Sequence, residues 1–260
     1  APSVRRPGSR DRYTGAVAAA RSEPPVPVFL FDIDMTLLAT GGAGLKAMGR
    51  AAEVLLGIDD AMTGVAFAGR TDRAIVRDLL ARAEVAPETL PGGFEGWLAR
   101  FADAYAAALA PALHETAGRA LPGAHDLVAR LAAVPEARVG IATGNFRRTG
   151  LMKLAHYGFG PPLDDGGFAD DHEDRAALVA AAAARIGGPA ALARPRRVVV
   201  IGDTPLDVGA ARANGFAVLA VATGDYDMPA LAAAGADAVL PDFADVDRAV
   251  ERLLALAAAA

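Results

Sequence analysis

Two aspartates stand one residue apart in the stretch Val28-Phe29-Leu30-Phe31-Asp32-Ile33-Asp34-Met35-Thr36. Alternate residues of an extended chain share a side and lie about 6 to 7 Å apart, so Asp32 and Asp34 can address one pocket. Gathering two charges there is costly unless a cation or hydrogen bonds compensate. Further along, Thr143-Gly144-Asn145 offers a hydroxyl and an amide, and Gly202-Asp203-Thr204-Pro205-Leu206-Asp207 offers further carboxylates. Hydroxyl, amide and helix N-terminal N–H groups suit phosphate oxygens, while clustered carboxylates suit Mg²⁺, which takes hard oxygen ligands. Together these residues describe a phosphate and metal pocket. The plainer reading of an aspartate after a strand is a helix cap or a solvated side chain. For Asp207 it is a first-turn carboxylate favoured by the helix dipole.

Each of these groups follows an apolar run that can hold it in place. Residues 28–31, bounded by Pro24, Pro25 and Pro27 on one side and by Gly41 and Gly42 on the other, read as a strand buried on both faces. Residues 138–143 and 198–201 read the same way. From Ala124 onward strands and helices alternate, which implies a parallel sheet with helices on both faces. Phe168 with Ala169 reads as a short strand, residues 217–222 and 238–240 as two more, and a terminal helix starts near Asp245. Open parallel sheets bind ligands beyond the carboxyl ends of their strands, which is where all three groups stand. The fold class is therefore α/β, with a Rossmann-like parallel-sheet core.

Residues 43–120 contain no convincing strand. Leu45, Met48, Ala52, Leu55 and Leu56 follow helical spacing, then Ile75, Val76, Leu79 and Leu80, then Phe94, Trp97, Leu98, Phe101, Tyr105 and Leu109. The last stripe reads as packing core between helices rather than as a cofactor site. The organisation that follows is an arm over 1–24, rich in Arg, Ser and Pro and expected to be disordered, a core built from 25–42 and 121–260, and an all-helical insertion over 43–120.

A formal charge of -5 and the lack of a basic stripe argue against a general nucleic-acid surface. The absence of cysteine excludes disulfides and thiolate metal sites and is compatible with a reducing cytoplasm. The alanine-rich stretch 176–184 is too short to span a bilayer. The expectation is a cytoplasmic protein with neither nucleic-acid nor membrane partners. Its oligomeric state stays open.

Asp32-Ile33-Asp34-Met35-Thr36, Thr143 and Gly202-Asp203-Thr204-Pro205-Leu206-Asp207 resemble, in that order, the first, second and fourth motifs of the haloacid dehalogenase-like (HAD) hydrolase superfamily. The resemblance runs from about residue 26 to 242, with the helical insertion where phosphoglycolate phosphatase-like members carry a cap. It implies that Asp32 is the nucleophile, forming an aspartyl-phosphate, and that Asp34 is the acid and base. It also implies Mg²⁺ held by Asp32, the backbone carbonyl of Asp34 and Asp203, with Asp207 further out or reaching it through water. Thr36, Thr143, Gly144 and Asn145 would meet the phosphate. The family usually places a lysine third; Arg175 stands at the comparable spacing, with Lys153 as the substitute candidate. A solvated helix-surface arginine is the plain alternative for Arg175.

Gly69-Arg70-Thr71-Asp72 reads as a helix start at which Arg70 could face the pocket and bind a substrate's anionic end. His172 among Asp170, Asp171 and Asp174 resembles a metal cluster, though consecutive acids before a helix more often cap it. His114, His125 and His156 read as structural. The implied activity is Mg²⁺-dependent hydrolysis of a small phosphorylated metabolite, a phosphoric monoester. The alternatives are a phosphomutase of the β-phosphoglucomutase kind and a non-catalytic module that binds phosphate or metal.

Overall fold

The computed structural model describes residues 26–259; the expected arm over 1–24 lies outside them. In chain order the elements are β1 (Val28–Phe31), β2 (Leu38–Ala39), α1 (Ala43–Leu56), α2 (Asp72–Arg82), α3 (Gly93–Glu115), β3 (Arg119–Ala120), α4 (Ala124–Ala132), β4 (Arg138–Ala142) and α5 (Arg147–His156). They continue as β5 (Gly166–Gly167), α6 (Arg175–Gly187), α7 (Pro189–Ala193), β6 (Val198–Gly202), α8 (Pro205–Ala213), β7 (Ala217–Val221), α9 (Met228–Ala233), β8 (Ala238–Leu240) and α10 (Val246–Ala258).

The main sheet is parallel, in the order β5-β4-β1-β6-β7-β8. β1 lies inside it, Val28 pairing with Arg138 of β4 and with Val198 of β6. Successive side chains of a strand point to opposite faces. Phe29 and Phe31 therefore pack with Leu127 and Leu131 of α4 and Leu253 of α10. Val28 and Leu30 pack on the other face with Leu178 and Val179 of α6 and Val208 of α8. A strand covered on both faces needs a continuous apolar run, and Val-Phe-Leu-Phe supplies it.

Two strand assignments differ from the sequence reading. The short edge strand is Gly166–Gly167, not Phe168 with Ala169. Close approach is the reason, since a Cβ at Gly166 would lie 2.0 Å from the Ile141 carbonyl oxygen and one at Gly167 2.7 Å from that of Leu178. Strand propensity points to the phenylalanine, whereas backbone proximity requires the glycines. Within the stretch read as strandless, β3 pairs antiparallel with β2, Leu38 opposite Ala120. Two-residue strands carry no periodic signal. This ribbon marks where the chain leaves the sheet for the helices and where it returns.

Helices α1, α2 and α3 share a core, with Met48, Ile75, Val76, Leu79, Trp97, Phe101, Tyr105 and Leu109 buried together, and Phe146 and Ala169 join it from the sheet side. The aromatic stripe of α3 thus packs between helices. No helix among the described residues is long and apolar enough to cross a membrane.

Candidate active site

The chain leaves β1 at Asp32, whose amide donates to the Ile201 carbonyl at 2.9 Å and so continues the pairing with β6. That register brings Asp32 beside Asp203, the residue after β6. Thr143, fully buried, follows β4 on the other side. Beyond Asp34 the backbone turns sharply: Met35 has φ 58°, its amide donates to Leu38 at 2.7 Å, and its carbonyl accepts the Thr223 hydroxyl. A left-handed non-glycine residue costs roughly 1 kcal/mol or more and persists only where its surroundings hold it. Here the Leu38 carbonyl and the Thr223 hydroxyl hold it.

Asp32, Asp203 and Asp207 are all buried, with carboxylate oxygens within 4.8 Å of one another. Burial pushes Asp32 up to about 6, opposed first by the Arg175 guanidinium and then reinforced by Asp207. It pushes Asp203 up to about 9, with Asp207 and Asp32 adding repulsion. Acids crowded this closely lack positive charge, and hard oxygen donors of this kind fit a divalent cation such as Mg²⁺. The donors are not equivalent. Asp207 forms a capping box at the start of α8, its Oδ2 accepting the Thr204 amide at 3.0 Å and the Thr204 hydroxyl at 2.7 Å. Its Oδ1 accepts Arg175 Nε at 3.0 Å and Nη2 as well. Both Asp207 oxygens are thus engaged, which leaves Asp32 and Asp203 as the side chains with capacity for a cation. Thr36 donates to Asp203 Oδ1 at 3.4 Å. Gly224 keeps the other oxygen clear, since a Cβ there would lie 2.0 Å from Asp203 Oδ2.

Arg175 opens α6 and is no surface residue. Besides Asp207, its Nη2 lies 3.4 Å from Asp32 Oδ2. Lys153 is also in the site, on a different carboxylate: its ammonium donates to Asp34 Oδ2 at 2.6 Å and to Asn145 Oδ1 at 2.6 Å. Asn145 in turn donates to Asp34 Oδ2 and to Thr143 Oγ1, each at 2.8 Å. Desolvation works against the Lys153 charge, but Asp34, Tyr105 and Asp72 outweigh it and hold the ammonium protonated. The two cations offered as alternatives for one position therefore occupy two.

Arg70 lines the cavity but its charge is spent elsewhere. Its Nη1 donates to Asp78 Oδ2 at 2.5 Å and to the Ala66 carbonyl at 3.1 Å. In this arrangement Asp78, eight residues on, is the carboxylate that its guanidinium meets. Thr71 caps α2 as its type suggests, accepting the Ala74 amide, and its hydroxyl donates to the Glu173 carbonyl at 2.9 Å. Asp72 does more than cap: its amide donates to Gly144 at 2.6 Å and its carboxylate accepts the Phe146 amide at 2.9 Å. Burial pushes Asp72 up to about 7, with Lys153 opposing. A Cβ at Gly144 would lie 2.2 Å from the Arg70 carbonyl oxygen, so the start of α2 sits directly on the loop after β4. The sequence reading missed the site roles of Asp72, Tyr105 and Asp225. All three line the cavity, and nothing in their local spacing sets them apart from cap, core and surface residues.

The acidic run before α6 is no metal cluster. Asp170 accepts the Arg147 amide, Asp171 pairs with Arg185 at 2.7 Å, and Asp174 caps α6. His114 and His156 meet edge to face at 4.7 Å, and His125 stacks on Phe159 at 4.0 Å.

Asp32, Asp34, Gly144, Asn145, Lys153, Arg175 and Asp203 open onto one cavity of about 350 Å³, whose other wall is the helical unit. Residues 175–246 match the family model described as HAD-hydrolase-like. No curated protein sequence matches the chain. A hydrolase from Pseudomonas syringae is similar in structure, with TM-score 0.65 and 24% identity over 87% of this chain and 98% of that one. A predicted phosphatase from Clostridium acetobutylicum gives TM-score 0.64 and 17% identity over 89% and 100%. CbbY from Rhodobacter sphaeroides, solved in complex with phosphate, gives 0.59 and 19% over 85% and 96%. The family match thus runs from the start of α6 to the start of α10, and the fold of the whole described chain is the one these solved structures share.

Proposed function

We propose that the protein is a Mg²⁺-dependent phosphatase acting on a small phosphorylated metabolite through an aspartyl-phosphate. One observation carries this reading: the paired aspartates of one strand end stand in two different environments. Asp32 lies among buried acids, beside Arg175. The Asp34 side chain is 37% exposed and rests on Lys153. The first setting suits a nucleophile close to a cation. The second suits a group that meets both the leaving alcohol and water.

Asp32, Asp203 and the carbonyl of Asp34 would hold Mg²⁺, which supplies charge neutralisation between carboxylate and phosphate. An Asp32 oxygen attacks phosphorus while the bond to the ester oxygen breaks, and Asp34 gives its proton to the departing alcohol. Asp34 then takes a proton from water as that water attacks phosphorus. The bond to Asp32 breaks and inorganic phosphate leaves. Thr36, Thr143, Gly144, Asn145 and Arg175 are assigned to the phosphate oxygens, Arg175 in place of the family's usual lysine. Residues 43–120 act as a mobile cap over a core of 25–42 and 121–260, moving about Gly41 to Gly44 and Pro122-Gly123 and excluding water. The arrangement is that of the phosphoglycolate phosphatase-like branch, and the proposed setting is the cytoplasm.

Phosphate release from a panel of phosphomonoesters, with and without Mg²⁺, tests this reading. Release is expected to need Mg²⁺ and to vanish in Asp32→Asn and Asp34→Asn. A bisphosphate-primed isomerisation without net phosphate release would establish a phosphomutase instead. Turnover unchanged in Asp34→Asn would remove the acid and base assignment.

A further inference from the structure

Much of what the helical unit adds to the cavity lining is apolar. Leu45 and Met48 come from α1, Met62 and Phe67 from the connection that follows, and Ile75 from α2. Leu45 is 40% exposed and Phe67 48%, and they are among the few large apolar side chains so exposed among the described residues. Apolar area left open to water beside a cavity is area that a ligand can cover.

The cavity's charges point the same way. The basic residues that line it are Arg70, Lys153 and Arg175. Each is engaged: Arg70 by Asp78, Lys153 by Asp34 and Asn145, and Arg175 by Asp207 and Asp32. Tyr105, which carries no charge, also lines the cavity. Asp72 and Asp225 add carboxylates to the lining. A second anionic group on the substrate would meet repulsion here and no uncommitted cation.

We propose that the alcohol part of the substrate is uncharged and apolar, an aryl or branched alkyl group packed by Leu45, Met48, Met62, Phe67 and Ile75. This rests on the hydrolase reading and narrows it, turning away from esters whose alcohol part carries a carboxylate or a second phosphate. Each methylene removed from water strengthens binding by about fourfold.

Calorimetry with the full chain in Mg²⁺, comparing benzylphosphonate with phosphonoacetate, tests it without turnover. Benzylphosphonate is expected to bind at least about tenfold more tightly. Phe67→Arg changes an exposed residue outside the catalytic set, and should narrow that preference severalfold by placing a cation at the cavity mouth. Equal or tighter binding of phosphonoacetate, or of neither phosphonate, would overturn the proposal, as would an unchanged preference in Phe67→Arg. Running the ester panel alongside separates the two readings. An apolar preference in binding with no ester hydrolysed leaves the apolar site standing and removes the hydrolase reading. Hydrolysis that favours carboxylate-bearing esters does the reverse.

Discussion

The Lys153 ammonium lies 2.6 Å from the Asp34 carboxylate, and the two are unequally sheltered, with side chains 4% and 37% exposed. The lysine is the anchored partner, fixed also by Asn145, and the aspartate is the presented one. On the proposed reading, the buried donor positions the accessible carboxylate for proton transfer.

Lys153→Met keeps most of the buried stem and removes the charge. On the proposed reading kcat should fall by about tenfold or more, in the range of a positioned acid or base losing its support, with KM changed less. Urea unfolding of Lys153→Met, Asp34→Asn and the double variant should show coupling of about 1 kcal/mol, modest because solvent screens the exposed side of the pair. Simple additivity would mean that the contact contributes nothing to the fold.

Arg175 compensates two buried acids at once, Asp32 and Asp207. Removing one partner of a buried ion pair typically costs about 3 to 5 kcal/mol, because the other charge stays behind unpaired. Arg175→Met is expected to fall in that range in urea unfolding. Arg175→Lys should lose clearly less, since the charge remains and only the forked contact to Asp207 is given up. Equal losses in the two variants would show that packing of the side chain, not its charge, matters there.

Asp72 gives a pH dependence whose sign follows from its burial. Its folded-state value is pushed up to about 7 from 3.8, so between those values the folded chain binds a proton that the unfolded chain has lost. Stability from this group therefore falls as pH rises through that window and is lowest above it. Asp72→Asn keeps an acceptor for the Phe146 amide without the charge. Its Tm should exceed the parent's by roughly 5 °C or more at pH 8, and the two should converge near pH 4. A constant difference across pH would assign the effect to the hydrogen bond alone.

Much of the site could be read from the chain itself. Asp32, Thr143 and Asp203 each follow an apolar run, and parallel register then gathers the ends of β1, β4 and β6 at one edge. Periodicity and strand-end position are local properties, so composition and spacing carry them. The helical nature of 43–115 and the burial of the α3 aromatics are local in the same sense.

Tertiary structure alone decided which charge meets which. Lys153 looks like any helix lysine until α5 packs against α3 and leaves Asp34 and Asn145 as its partners. Arg70 stands beside the cavity, yet Asp78, eight residues on, takes its guanidinium. Asp72 looks like a first-turn acid until the loop at Gly144 closes over it. Gly166 and Gly167 form a strand only because neighbouring backbone comes too close for a side chain. Spacing along the chain sets where a side chain starts. The partner of a long or buried charged group is chosen across space, by the balance of desolvation against the nearest opposite charge, and that balance exists only once the helices have packed on the sheet.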